Sequence, residues 1–260
     1  MDGTVAALDC GTNSTRLLVA GPGGEVLERE MRITRLGQGV DATHRLSAEA
    51  VERTLSVLAD YRRLMDRHGV GHARLVATSA VRDAENAEDF LLGAAAAIGV
   101  APEVLSGLEE GRLSFAGAVA GLDAAGVDVG PGPVLVVDIG GGSTELAAGP
   151  VVGPLTDVAA VSLDVGCVRL SERFFHHDPP LPGELGAART FVDGLLDRAL
   201  GVLPSLEPGG LLVGLAGTVS TLASLAQGLG AYDRTRIHHF ELSRRDVAHW
   251  LARLAADDHA

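Results

Sequence analysis

The chain has 260 residues, 47% of them hydrophobic, 21% charged and 3% aromatic, enough for one large domain or two ordinary ones built on aliphatic, Ala-rich cores. A formal net charge of −13 argues against general binding to nucleic acid or anionic membrane, which needs broad basic surface. All 21 basic residues are Arg, which excludes a phosphate-loop lysine, a Schiff-base lysine and a Ser-Lys dyad. Cys10 and Cys167 stand far apart and suit a reducing cytosol better than a disulfide. No apolar run approaches the ~20 residues that span a bilayer. The chain enters a strand almost at once, so no signal peptide is visible and a cytoplasmic location is expected.

In chain order, Val5–Asp9, Thr15–Ala20 and Val26–Ile33 read as three strands joined by Gly-rich turns. Leu46–His68 reads as a helix capped by Ser47, with Val51, Leu55, Leu58, Arg62 and Met65 at helical spacing and Gly69 and Gly71 ending it. Ala73–Thr78 is a buried strand, Ala84–Gly99 a helix, Glu103–Ser106 a short strand and Leu108–Leu122 a helix. Asp123–Pro133, rich in Gly and Pro and without period, is the expected linker and hinge, dividing a first domain, 1–124, from a second, 125–260. The pattern then restarts. Val134–Asp138, Thr144–Ala148 and Ala159–Asp164 are strands, Val168–Phe175 and Gly186–Leu203 helices, Leu211–Leu215 a strand and Val219–Leu229 a helix. Ser243 and Asp246 mark a capping-box start for a last helix.

The restart is also a repeat. Val5–Ala20 aligns without gaps on Val134–Gly149, so that Asp9 meets Asp138, Gly11 meets Gly140, Ser14 meets Ser143, Thr15 meets Thr144 and Leu17 meets Leu146. Each copy is a strand, an Asp, a small-residue turn and a second strand. Such turns aim several backbone N–H groups one way and favour phosphate oxygens. Gly11, Gly140, Gly141 and Gly142 let the backbone approach a ligand, while Thr12, Ser14, Ser143 and Thr144 add hydroxyl donors. A carboxylate beside such a site repels phosphate unless it holds a divalent cation or orients water, which is the reading of Asp9 and Asp138. One copy alone is an ordinary Gly-rich turn; two copies half a chain apart favour phosphate binding. The adjacent pairs His176-His177 and His238-His239 are not read as metal ligands, because neighbours on a strand or helix point different ways.

Two βββαβα halves, each opening with an Asp-Gly hairpin, resemble the actin, hexokinase and Hsp70 superfamily. The expected fold class is α/β: two duplicated ribonuclease H-like, actin-type ATPase domains flanking a cleft that both hairpins face. Three further segments narrow this: Ala77-Thr78-Ser79-Ala80-Val81-Arg82-Asp83-Ala84, Ser106-Gly107-Leu108-Glu109-Glu110-Gly111-Arg112 and Gly214-Leu215-Ala216-Gly217-Thr218. With the hairpins they resemble the exopolyphosphatase / guanosine pentaphosphate phosphohydrolase (Ppx/GppA) family over nearly the whole chain.

The resemblance implies hydrolysis of a terminal phosphoanhydride by water, assisted by Mg²⁺ or Mn²⁺, with Glu110 as catalytic base. Read by itself, Glu110 is an acid favoured in a helix's first turn by the helix dipole. Asp138, Gly140 and Glu145 match metal and phosphate positions, so Glu110, Asp138 and Glu145 are the expected catalytic residues and Asp9, Asp138 and Glu145 the expected metal ligands. Asp9, Thr12, Asn13, Ser14 and Arg16 match the first phosphate hairpin. Arg82 is a candidate phosphate clamp, since guanidinium grips phosphate in a fork; a bracing ion pair is the other reading of Arg16 and Arg82. Gly217 and Thr218 either contact a distal phosphate or simply begin a helix. Arg16 in the first copy becomes Glu145 in the second, so one hairpin is expected to hold the anion and the other to manage metal and water. The expected substrate is inorganic polyphosphate. The alternatives are guanosine pentaphosphate (pppGpp), placing the chain in the stringent response, a regulator that binds polyphosphate or an alarmone without turnover, and a sugar or carboxylate kinase, for which no acceptor signature is seen. Homodimerisation is common in the family. Its members usually continue with a final helix, so the second half reads as truncated.

Overall fold

The computed structural model describes residues 3–122, 125–130, 132–203 and 210–256. The chain divides into two compact units, Met1–Gly107 and Leu108–Ala260.

The first unit opens with β1 (Val5–Cys10), β2 (Ser14–Ala20) and β3 (Val26–Ile33), an antiparallel meander. A short turn of helix, α1 (Val40–Thr43), leads to α2 (Ala48–Arg67), and β4 (His72–Ala77) then returns parallel to β1. After α3 (Ser79–Arg82) and α4 (Ala87–Ile98), the two-residue β5 (Glu103–Val104) completes a sheet of order β3-β2-β1-β4-β5. Strand alternation sends Ala6, Leu8 and Cys10 to one face, where they join Leu17, Val19, Leu75 and Ala77. The helices α2 and α4 cover that face with Leu58, Tyr61 and Met65 and with Phe90, Ala94 and Ile98. The helix α2 begins where Ser47 accepts the N–H of Ala50, and Tyr61 donates its hydroxyl to Thr15 O at 2.9 Å, tying the helix to β2. Phe90 is wholly buried, so its truncation to Ala costs about 3–5 kcal/mol. The expected helix from Ala84 starts only at Ala87, because Ser79–Arg82 forms its own turn and Asn86 bonds both the N–H and the carbonyl of Leu46.

In the second unit, α5 (Gly107–Val119) precedes β6 (Val134–Ile139), β7 (Thr144–Gly149) and β8 (Ala159–Leu163). Then come α6 (Cys167–Phe174), α7 (Pro182–Leu200), β9 (Leu212–Leu215), α8 (Ala216–Ala226), α9 (Arg234–Ile237) and α10 (Arg244–Leu254). The sheet order is β8-β7-β6-β9, with β9 parallel to β6. Both sheets therefore set an antiparallel meander beside a returning parallel strand, the duplicated ribonuclease H-like pattern that the repeat implies. The registers repeat too. Val5↔Ala20 and Cys10↔Thr15 in the first hairpin become Val134↔Gly149 and Ile139↔Thr144 in the second.

The expected division at 124/125 differs from the observed one. The helix α5 closes the second sheet: Phe115 packs with Val134, Val136, Ala147 and Val158. The opposite face carries Leu135, Leu146, Leu163 and Val165 under Phe191, Leu195 and Leu196 of α7. Within the expected linker, residues 123, 124 and 131 lie outside the described residues, as does the C-terminal 257–260. The helix α7 starts four residues before the expected Gly186, since Pro182 stands at its first turn and Glu184 accepts the N–H of Leu181. The capping box expected at Ser243 and Asp246 is present.

Candidate active site

The second hairpin places two acids side by side. Asp138 near the end of β6 lies directly opposite Glu145 on β7, so both side chains leave the same face, about 5 Å apart at Cβ. Glu145 is 2% exposed. Two carboxylates so placed repel each other, and each receives a hydroxyl proton: Ser114 donates to Asp138 Oδ2 at 2.6 Å and Ser162 to Glu145 Oε1 at 2.7 Å. The helix α5 approaches this pair through Gly111, where an added Cβ would lie 3.2 Å from Ala160 Cβ and 3.5 Å from Glu145 Cβ. Glu110 adjoins that contact and stands one helical turn before Ser114, so it shares the face that meets Asp138.

Among the described residues no group of three or more His, Cys, Asp or Glu is arranged to enclose a metal. A pair of hard oxygen ligands nevertheless suits Mg²⁺ or Mn²⁺, which keep several waters and take their remaining ligands from substrate phosphates. The donor set thus fits a cation shared with substrate. Asp9, the third expected ligand, belongs to the first unit, where it pairs across the ladder with Arg16 and lies beside Val76 of β4.

The turns themselves are alike. Gly11 N donates to Ser14 O and Gly140 N to Ser143 O, both at 3.0 Å. A Cβ on either glycine would sit 3.2 or 3.1 Å from that same carbonyl. In the first turn the carbonyls of Thr12 and Asn13 accept the N–H groups of Gly37, Thr34 and Arg35, which fixes the outer side of the loop. Ser14 starts β2, and Arg16 is exposed. Arg82 follows β4, which neighbours β1, and donates Nη1 to Leu105 O at 2.8 Å. In the second turn Ser143 is buried, and the Thr144 hydroxyl, expected to face phosphate, donates instead to Val165 O at 2.6 Å. Gly217 and Thr218 occupy the first turn of α8 behind Ala216, whose φ of 67° is left-handed and unfavourable for a residue with a Cβ.

The comparisons with known proteins bear on the family and the fold. Residues 19–259 match the Ppx/GppA phosphatase family. The chain belongs to that family. It is 48% identical over 263 residues to exopolyphosphatase 2 of Mycobacterium tuberculosis, covering 96% of this chain and 79% of that protein. The crystal structure of an exopolyphosphatase-like protein superposes with a TM-score of 0.88 at 40% identity, over 98% of this chain and 79% of the other. That of the Aquifex aeolicus Ppx/GppA member superposes at 0.74 with 33% identity, over 98% and 80%.

In this Ppx/GppA protein several residues beside the site went unread in the sequence. Ser114 could have been found as the position one turn beyond Glu110, and Ser162 as the ladder partner of Glu145. Gly166 and Arg169, which touch the second turn, carry no local signal. The rings of His238 and His239 stack with centroids 3.8 Å apart, His239 taking a φ of 60° just after α9. Both cysteines are free; burial, and then the neighbouring charge of Asp9, push the Cys10 thiol well above its usual range and keep it inert.

Proposed function

We propose that this chain is an exopolyphosphatase, which removes terminal orthophosphate from inorganic polyphosphate. The observation that carries this reading is the Asp138–Glu145 pair beside a phosphate-type turn, with Ser114 of α5 bonded to Asp138 and Glu110 one helical turn before Ser114. Water is the only nucleophile the reaction needs, and a carboxylate on a rigid helix can orient it.

Glu110 takes a proton from a water in line with the terminal P–O–P bond. The water oxygen bonds to phosphorus, the bridging P–O bond breaks, and its electron pair leaves on the shortened chain. The N–H groups of Gly141, Gly142, Ser143 and Thr144, with the Ser143 hydroxyl, hold phosphate oxygens, as do Thr12, Asn13 and Ser14 in the first hairpin, while Gly11 and Gly140 shape the two turns, their own N–H groups closing on Ser14 O and Ser143 O. Arg16 and Arg82 grip the anion, and Gly217 and Thr218 contact a distal phosphate. Asp138 and Glu145 would hold Mg²⁺ or Mn²⁺, and Asp9 is a further candidate; such an ion offsets the charge gathering on the leaving oxygen. No helix among the described residues is long and apolar enough to cross a membrane, and the cytoplasm is the proposed site of action.

The test is phosphate release from long-chain polyphosphate with Mg²⁺ or Mn²⁺, alongside pppGpp as competing substrate. Glu110→Gln should lose about 10²–10⁴-fold in kcat. Equal rates in both proteins, or turnover of pppGpp alone, would overturn the reading. Tight polyphosphate binding without turnover would make the chain a sensor.

A further inference from the structure

The second turn is held from behind. The carbonyls of Gly140, Gly141 and Gly142 face the start of α6: Cys167 N donates to Gly140 O at 3.0 Å, and Val168 N and Arg169 N donate to Gly141 O at 2.9 and 3.1 Å. Arg169 Nε completes the set with a 2.8 Å bond to Gly142 O. The approach is as close as backbone allows. A Cβ on Gly166 would fall 2.4 Å from Gly141 C, 2.5 Å from Gly141 O and 2.7 Å from Gly140 O. Thr144 pins the same junction from the other side, through its hydroxyl on Val165 O.

In a trans peptide, C=O and the next N–H point in opposite directions. Drawing the carbonyls of Gly140, Gly141 and Gly142 toward α6 therefore turns the N–H groups of Gly141, Gly142 and Ser143 away from it, toward the side where a ligand would lie. Glycines left alone sample many orientations, and ordering them on binding costs about 1–2 kcal/mol of entropy per residue. The α6 start removes that freedom in advance.

We propose that Arg169, with Gly166, is a positioning residue: its guanidinium locks the Gly142 peptide so that the turn presents a preformed phosphate nest. This rests on the exopolyphosphatase reading for its substrate. It assigns Arg169 to the protein carbonyl rather than to the polyanion, although an arginine beside a phosphate site would ordinarily be taken as a phosphate ligand.

The experiment compares wild type, Arg169→Gln, Arg169→Lys and Gly166→Ala. Inorganic phosphate affinity is measured by calorimetry, and KM and kcat on polyphosphate across a salt series, with thermal melts reporting folding. Arg169→Gln should weaken phosphate binding and raise KM by about tenfold each, the loss of a charge-assisted hydrogen bond, while kcat falls less than about threefold. Arg169→Lys should recover part of the loss, since an ammonium can still donate to Gly142 O. The slope of log KM against log salt should match wild type in every variant. A slope smaller by about one in Arg169→Gln would mean that the guanidinium touches substrate, and would overturn the assignment. So would phosphate affinity within twofold of wild type in both Arg169→Gln and Gly166→Ala. Should Arg169→Gln not fold, Arg169→Lys decides by the same two readouts. If wild type binds inorganic phosphate but leaves polyphosphate intact, the functional reading fails and the phosphate affinities alone judge the brace. If wild type binds no phosphate, the brace itself falls.

Discussion

Ser114 is a small residue with two consequences. Its hydroxyl donates a hydrogen bond to Asp138, and its place one turn after Glu110 links the expected base to the expected metal ligand through a single helix. Ser114→Ala removes one charge-assisted bond from a carboxylate that already faces Glu145. The Mg²⁺ concentration for half-maximal activity should rise about tenfold, with kcat changing less. Metal titration of activity, paired with Mn²⁺ binding by electron paramagnetic resonance, checks this; unchanged metal affinity in both would remove Ser114 from the site. Tyr61 gives a contrast away from the chemistry. Tyr61→Phe leaves Thr15 O without its hydroxyl donor and should cost about 1–3 kcal/mol in denaturant unfolding without altering KM. The repeat aligns Asp9 with Asp138, whereas Glu145 stands where the first copy has Arg16 and was singled out only by the family resemblance. Ser114 could be listed from its place one turn beyond Glu110, but its partner Asp138 is chosen by how a helix lands on a sheet, and that contact leaves no mark in local spacing.

Among the elements, α5 shows the same limit more sharply. Its helical nature was plain from the residues, but periodicity says nothing about which sheet a helix covers. Phe115 settles it by packing on Val134 and Val136, and the neighbouring turn of the helix brings Gly111 against Glu145. The helix α7 began earlier than expected because side-chain bonds, rather than apolar period, set its start. Glu184 accepts hydrogen bonds from His177, from Leu181 N and from His176 N, and these hold its carboxyl down to about 2. The depressed value means that the ionised form supports the fold. That support is complete above the ordinary Glu value near 4.5, fades as pH falls, and is gone once pH passes about 2. Glu184→Gln should therefore melt slightly below wild type at pH 6, with the two curves converging as pH falls from 4.5 toward 2. A gap that stays constant across that range would assign the effect to lost packing instead. Exposure and salt screening keep it small.

At the level of the whole chain, the composition and the repeat have to be reconciled. A net charge of −13 repels polyphosphate at long range, so any attraction must be local: backbone amides, a shared cation and a few arginines. Every one of the 21 basic side chains is Arg, so no side-chain amine contributes to that local field. Acylating reagents that consume amines should leave polyphosphate hydrolysis unchanged. A dicarbonyl such as phenylglyoxal, which condenses with guanidinium, should abolish it, because a blocked fork can neither grip phosphate through Arg16 and Arg82 nor bond Gly142 O through Arg169. These three arginines should also differ in protection. Inorganic phosphate at saturating concentration should shield those that touch it, while Arg169, assigned to Gly142 O and not to the anion, should react at the same rate with or without ligand. Peptide mapping of the modified sites distinguishes the two classes. Loss of activity on amine acylation, or ligand protection confined to Arg169, would contradict a site built from amides and guanidinium groups in these roles.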